Sequence, residues 1–379
     1  MKKIRDFTIY KDPEYFSAFP SVALLSSGEL LIAFRRASDD RWLLSEGDAP
    51  TEVDAVSVDH VHWRSHIAAV RLSRDLSTLS EPETLPMDPQ AADQDGNLII
   101  LRSGRLLQYG FLWRPVPNSV ADALKGQANV WLHKAHSGIG TFMGWGSYVR
   151  YSDDEGRTWS VRTMLPVADE MQKSEWQKRG FHGGAVRGRA QELDDGRIAM
   201  VSYGGQLAGG STQVATLYIS EDQGKSWSTD GTFQTLEKGT LQEPALALWP
   251  DNSLTVFYRT AGLGDQLVTV TGSCDANKWQ APQKQSVIGH PYDPLVLSDG
   301  RLFLVYGYRH KPFGVRARLV EKGQSLGDAE EFIIRSDAIG GDVGYPWAVE
   351  LPDGNILVVY YFNYSDGIRG IEASLVSVK

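Results

Sequence analysis

The sequence predicts an all-β protein, a six-bladed β-propeller, and three observations carry that expectation. An eight-residue phrase occurs twice, as Ser152-Asp-Asp-Glu-Gly-Arg-Thr-Trp159 and Ser220-Glu-Asp-Gln-Gly-Lys-Ser-Trp227. A shorter unit, an Asp-Gly-type turn with an apolar strand on each side, recurs six times along the chain. The composition, with 11 Trp, 15 Tyr and 38 Gly among 379 residues, belongs to a turn-rich, aromatic-rich β protein.

The six turns centre on Gly28, Gly104, Gly196, Asn252, Gly300 and Gly354. Each reads as a hairpin, as in Ala245-Leu-Ala-Leu-Trp249 before Asn252 and Leu254-Thr-Val-Phe-Tyr258 after it. They lie 76, 92, 56, 48 and 54 residues apart, so each interval holds one four-stranded blade and the first two hold insertions as well. The insertions fall at about 37–66 in blade 1 and about 115–145 in blade 2, and loops of that length form lids or rims of sites, or are disordered. No Pro/Gly/Ser-rich linker or charge run divides the chain, which reads as one domain over 1–379. An N-terminal strand around Phe7–Tyr10 is expected to close the ring against the last blade, near Ile368–Val378.

The repeated phrase has the chemistry of a hairpin tip. Its Ser and Asp side chains can bond local N–H groups, its Gly takes positive φ, and its Trp packs under the turn. Worn copies stand at Ser73-Arg-Asp75-Leu-Ser77 and Ser273-Cys-Asp275-Ala-Asn-Lys-Trp279. Gly156 and Gly224 are expected at positive φ, with Trp159 and Trp227 buried at the blade periphery. These residues resemble the Asp-box repeats of sialidase-type propellers, which are structural and catalyse nothing.

A net charge of −9 argues against nucleic acid or an anionic membrane as partner. It leaves room for an anionic small substrate, since a local Arg cluster overrides the global field. One cysteine, Cys274, allows no internal disulfide. Met1-Lys-Lys-Ile-Arg-Asp-Phe-Thr-Ile-Tyr10 has no apolar run after its basic residues and reads as no signal peptide, so a cytoplasmic location is expected. A secreted or periplasmic protein without its leader would read the same.

In a blade, the strand before the turn lines the central channel and the strand after it runs back. The residues that start the first strand and end the second therefore ring one mouth. The first set includes Ala18, Asp95, Arg187, Glu243, His290, Asp293 and Tyr345; the second includes Arg35, Arg36, Arg114, Tyr203, Arg259 and Arg309. Any one of them reads as a solvated rim charge or plain packing. Their convergence from separate blades is the functional signal.

Beyond the boxes, blades 4 to 6 are similar to the exo-sialidase superfamily. Gln242-Glu243-Pro244 followed by Phe257-Tyr258-Arg259 resembles the family's Glu and second triad Arg, and Tyr345-Pro-Trp-Ala resembles its catalytic Tyr segment. The resemblance implies Tyr345 as nucleophile, Glu243 as the base that polarises it, and Arg259 and Arg309 as carboxylate ligands. The two Arg are expected to lower the phenol pKa. Blade 1 departs from the pattern. Where the family begins Phe-Arg-Ile-Pro this chain has Ser17-Ala18-Phe19-Pro20, with Arg35 or Arg36 as alternative cations. For the general acid, the blade-1 loop offers Asp40 first and His60 second, beside Asp39, Asp54, Asp59 and His62. Arg35, Arg36, Asp95, Arg187, Arg259, His290, Asp293 and Arg309 are the expected substrate ligands.

His60-Val-His62 and His133-Lys-Ala-His136 lack a third ligand at diagnostic spacing, and no metal or other cofactor is expected. Gly180-Phe-His-Gly-Gly-Ala185 is followed by no helix and makes no phosphate cradle. The first functional expectation is an exo-acting glycoside hydrolase that removes a terminal acidic sugar, sialic acid or a related ulosonic acid, from an oligosaccharide or glycoconjugate. The alternatives are a sialidase-like hydrolase or lyase acting beside a uronate, of rhamnosidase or glucuronidase type, and a non-catalytic glycan-binding propeller. The sequence is silent on oligomeric state.

Overall fold

The computed structural model describes residues 1–39, 61–126, 130–134, 140–169, 171, 184–206, 213–233, 239–273 and 278–379. Its strands form six antiparallel sheets, each meandering outward from one inner strand. The inner strands of blades 1, 2, 4, 5 and 6 are Tyr15–Leu24, Ala92–Ile100, Thr240–Leu248, Tyr292–Val296 and Gly344–Glu350; in blade 3 the short strands Ala185–Val186 and Gln191–Glu192 take this place. Lys2–Tyr10 is the outer strand of blade 6 and pairs antiparallel with Arg369–Ser377, Phe7 opposite Ala373. The ring is thus closed between its first and last strands, which leaves each blade only its outer strand as an edge.

The six turns share one geometry. The N–H of Gly28 bonds back to the Leu25 carbonyl at 2.9 Å and that of Leu25 to the Glu29 carbonyl at 2.8 Å, and the other five repeat the pattern. All six turn residues have positive φ, from 66° at Asn252 to 88° at Gly196. The insertions are shorter than expected because the returning strands run on. Blade 1 pairs through Ser38 and resumes at His66, and blade 2 pairs through Val116 and resumes at Thr141. Between the latter two lie a short helix, Asn118–Leu124, and a strand, Leu132–Lys134.

The repeated phrase folds as its chemistry dictates. Ser152 Oγ accepts from the Gly156 N–H at 2.8 Å, and Asp154 accepts from the N–H and hydroxyl of Thr158 at 2.8 and 2.6 Å. Ser220, Asp222, Gly224 and Ser226 repeat this within about 0.1 Å. Gly156 and Gly224 have φ of 82° and 83°. A Cβ at Gly156 would lie 2.8 Å from Leu31 of blade 1, and one at Gly224 would lie 2.7 Å from Leu107 of blade 2. Each box therefore seats against the preceding blade, and its Gly serves both backbone and packing. Trp227 is buried, but Trp159 is only half-buried, a correction to the expected pair. The copy at Ser73 keeps the Ser–Asp bonds and puts Leu76 at φ 59°, where the others have Glu155 at 58° and Gln223 at 60°. Positions 274–277 of the last copy lie outside the described residues.

One further repeat positions the site. Inner-strand register breaks between Ala18 and Ser21, Gln94 and Asn97, Gln242 and Ala245, and Gly344 and Trp347. At each break two residues oppose one, which is a β-bulge. The first bulge residue is left-handed in all four blades: Phe19 (φ 55°), Asp95 (60°), Glu243 (48°) and Tyr345 (48°). Each stands nine residues before its turn residue, and three precede Pro. Non-Gly residues at positive φ cost about 1 kcal/mol or more, and such strain concentrates at functional sites.

Candidate active site

Three bulges bring a carboxyl, a second carboxyl and a phenol to one end of the channel, from blades 2, 4 and 6. The Tyr345 hydroxyl donates a short hydrogen bond to Glu243 Oε1. Arg259 Nη1, from the strand returning beside Glu243, reaches Glu243 Oε2 at 2.9 Å and the Tyr345 oxygen at 3.2 Å. Burial would raise the Glu243 pKa, but the Arg259 charge and the phenol hydrogen bond outweigh it and hold the carboxylate below its usual range. Burial and the Glu243 charge push the Tyr345 phenol well up despite Arg259 and Arg309. This corrects the expectation that the two guanidinia would lower it. The resting pair is a neutral phenol donating to an ionised carboxylate.

Arg309 lies 5.5 Å from the Tyr345 ring centre, and its Nη2 donates to the Tyr361 hydroxyl at 2.9 Å. Tyr361 in turn donates to Asp342 at 2.6 Å, with Arg369 3.7 Å from the same carboxylate. Nε of Arg259 and of Arg309 makes no hydrogen bond among the described residues. On the other side, Arg187 lies 5.1 Å from the Tyr345 ring and bonds Asn97 at 2.6 Å. Its Nε stands 4.0 Å from the Asp95 carboxyl, which accepts no hydrogen bond among the described residues. Burial, with the Glu243 charge beside it, pushes Asp95 up to about 7 against the pull of Arg187 and Arg35.

The structure brings Tyr345, Glu243, Arg259, Arg309, Arg187 and Asp95 together, with His290 at their edge. His290 Nε2 lies 3.0 Å from Asp265, and burial together with Arg259 and Arg309 lowers its pKa to about 4, so it is neutral at pH 7. Two expected ligands are elsewhere. Arg36 follows Arg35 on one strand and so faces the opposite way, where it bonds His66, Tyr10 and Thr84 at 3.0–3.2 Å. Asp293 is spent as a brace: Arg189 holds both its oxygens at 2.9 and 2.8 Å, and the Ala348 N–H donates at 2.8 Å. In blade 5 the paired strand runs in regular register from Tyr292 and the ring position, Pro291, is not left-handed; Asp293 stands two residues beyond it. Arg35 is fully buried opposite Ala18. Asp40 and His60 lie outside the described residues, as do Asp54 and Asp59; Asp39 is buried and its N–H bonds the Glu14 carbonyl.

Sequence reading missed Tyr361, Asp342 and the packing of Phe19 against the site. Phe19 packs 4.6 Å from the Tyr345 ring and 5.5 Å from that of Tyr361. Tyr361 is the cross-strand partner of Gly344, and pairing the two strands outward from the Gly354 turn would have found it. The blade-2 insertion folds onto blade 3, with Trp131 6.0 Å from Tyr203 and its indole N–H on the Gly204 carbonyl at 3.1 Å. Burial first, and then the Glu243 charge, push the pKa of the Tyr203 phenol well up. Among the described residues no three His, Cys, Asp or Glu side chains cluster as metal ligands.

Residues 103–358 match the model of the BNR repeat-like domain. No curated protein matches the sequence. In structure the chain is similar to a protein of unknown function from Dyadobacter fermentans, at 30% identity and TM-score 0.86 over 100% of this chain and 99% of that one. It is also similar to a mutant of the NanB sialidase from Streptococcus pneumoniae, at 14% identity and TM-score 0.66 over 98% of this chain and 70% of that one. An intramolecular trans-sialidase from Ruminococcus gnavus, solved with oseltamivir carboxylate, aligns at 13% identity and TM-score 0.62 over 98% and 96% of the two chains. The chain belongs to the BNR repeat-like family, and its six-bladed propeller is the fold of the sialidases.

Proposed function

We propose that this protein is an exo-acting glycoside hydrolase that removes a terminal acidic sugar from an oligosaccharide or glycoconjugate. The observation that carries the reading is the Tyr345–Glu243–Arg259 contact, in which a buried phenol donates to a carboxylate kept ionised by a guanidinium. Such a pair suits nucleophilic catalysis better than passive binding, since a glycan-binding surface needs no proton acceptor behind a tyrosine. In the first step the Tyr345 oxygen bonds to the anomeric carbon and its proton passes to Glu243. The glycosidic C–O bond breaks, and an acid of the site protonates the departing oxygen. Water then attacks the anomeric carbon and gives a proton back to the conjugate base of that acid, while the Tyr345 oxygen leaves and takes its own proton back from Glu243. A phenol, neutral until attack, avoids bringing a carboxylate nucleophile to a centre that itself bears a carboxylate. Arg259 and Arg309 would hold the substrate carboxylate.

One observation favours a second reading, a hydrolase acting on a uronate-containing glycan. Blade 1 places Ala18 and Phe19 where the resemblance calls for an arginine, so the wall beside Tyr345 is aromatic. Two guanidinia suffice for a uronate carboxylate that lies away from the anomeric carbon. The test is a panel of aryl glycosides of sialic acid, glucuronic acid, rhamnose and arabinose, run with wild type and Tyr345→Phe. Hydrolysis of one acidic glycoside with about 10³-fold loss in the variant and near-intact ligand binding supports the mechanism. A Tyr345→Phe variant that keeps most of its turnover sinks it.

A further inference from the structure

Asp95 and Glu243 occupy the same bulge position in blades 2 and 4, yet their surroundings differ. Glu243 has a guanidinium at 2.9 Å and a phenol O–H on its two oxygens. Asp95 is buried to 3% exposure, accepts no hydrogen bond among the described residues, and has only Arg187 Nε at 4.0 Å. The charged or titratable groups acting on it are Arg35 from blade 1, Arg187 and Tyr203 from blade 3, Glu243 from blade 4 and Tyr345 from blade 6. Two carboxyls facing one poorly solvated space do not both ionise readily, and the one without donors keeps the proton.

We propose that Asp95 enters ligand binding as a carboxylic acid and donates its O–H to an acceptor oxygen of an acidic sugar, a carboxylate or acyl oxygen. This rests on the ring being an acidic-sugar site, as proposed above. Its surroundings raise its pKa to about 7, so the donor is present below neutrality and lost above it. Ionised Asp95 would face the ligand's acceptor oxygen with a second negative charge.

The test measures binding of free N-acetylneuraminic acid and of D-glucuronic acid by calorimetry, roughly one pH unit either side of that value. Wild type is expected to bind about tenfold more weakly at the higher pH. Asp95→Ala should bind weakly at both, whereas Asp95→Asn, which keeps a donor and cannot ionise, should bind better than Asp95→Ala and without pH dependence. Infrared difference spectra of wild type minus Asp95→Asn at the lower pH should show a protonated carboxyl band. Wild-type binding independent of pH, a pH dependence that survives in Asp95→Asn, or no carboxyl band overturns the Asp95 assignment alone. Failure of both sugars to bind at either pH overturns the acidic-sugar reading with it.

Discussion

In blade 4 the inner-strand bulge carries Glu243, bonded to Arg259 on the returning strand and to Tyr345 across the channel. In blade 1 the same bulge, with the same left-handed backbone, carries Phe19, tilted against Tyr345 and edge-on to Tyr361. The backbone device is common to both, so the fold builds the ring whatever side chain it receives. The chemistry is a matter of which residue stands nine positions before the turn. Blade 1 has kept the architecture and given that place to packing.

The largest expected effect tests this division. Glu243→Gln keeps the shape and one acceptor but loses the proton sink for a phenol that burial holds neutral. Turnover should fall about 10³-fold, roughly 4 kcal/mol of transition-state stabilisation. Phe19→Leu, at the equivalent place, should alter turnover by less than about tenfold, since it removes only a stacking contact. Equal losses in initial-rate assays of the two variants would show that the comparison is wrong.

Next comes the attempt to give blade 1 the arginine it lacks. Ala18 and Arg35 are direct cross-strand partners, and such partners share a face of the sheet. Ala18 is fully buried, so its small side chain leaves the room that the buried Arg35 occupies. Ala18→Arg should therefore crowd two cations together and cost about 2–4 kcal/mol. Denaturant melts should show the loss, and Arg35→Ala in the same chain should recover part of it. A stable Ala18→Arg with improved sialoside hydrolysis would mean that blade 1 needed only one residue to rejoin the site.

Away from the ring, the Asp boxes should affect stability alone. Gly156→Val meets both a φ of 82° and Leu31 at 2.8 Å. About 2–3 kcal/mol should be lost, with KM and kcat unchanged well below the melting temperature.

These contrasts also explain what the sequence made legible. The turns and boxes are local: the backbone bonds that close the turns and the Ser and Asp bonds inside the boxes link residues within about five positions, so composition and spacing announce them. Glu243, Arg259 and Tyr345 were legible because the X-Pro steps and strand ends sit at a fixed distance from those turns. Arg36 and Asp293 were misplaced for the opposite reason. Arg36 is claimed by Tyr10, His66 and Thr84, and Asp293 by Arg189, 104 positions away, and no local pattern records such pairings. The missing left-handed residue in blade 5 is equally silent, because His290-Pro291 has the X-Pro signature without the positive φ.

The smallest effect separates the two carboxyl-bearing bulges by pH. The raised Asp95 pKa means that the native state holds a proton the unfolded chain releases. Its contribution is complete below the ordinary carboxylate range and is lost as pH rises through about 7. His290 runs the other way. Its pKa, lowered to about 4, gives stability that is present above the ordinary histidine value and lost as pH falls through 4. The two trends oppose each other in mildly acid solution and both level off by about pH 7; His290 is common to wild type and an Asp95 variant, so its trend cancels in their difference. Asp95→Asn, which cannot ionise, should therefore gain on wild type in Tm as pH rises from the ordinary carboxylate range to about 7, by about a few degrees, and the difference should level off above that. Calorimetric scans from about pH 5 to about pH 8 would check it. A Tm difference that stays flat across that range would place the Asp95 proton on solvent terms, and the bulges of blades 2 and 4 would then carry two ordinary carboxylates.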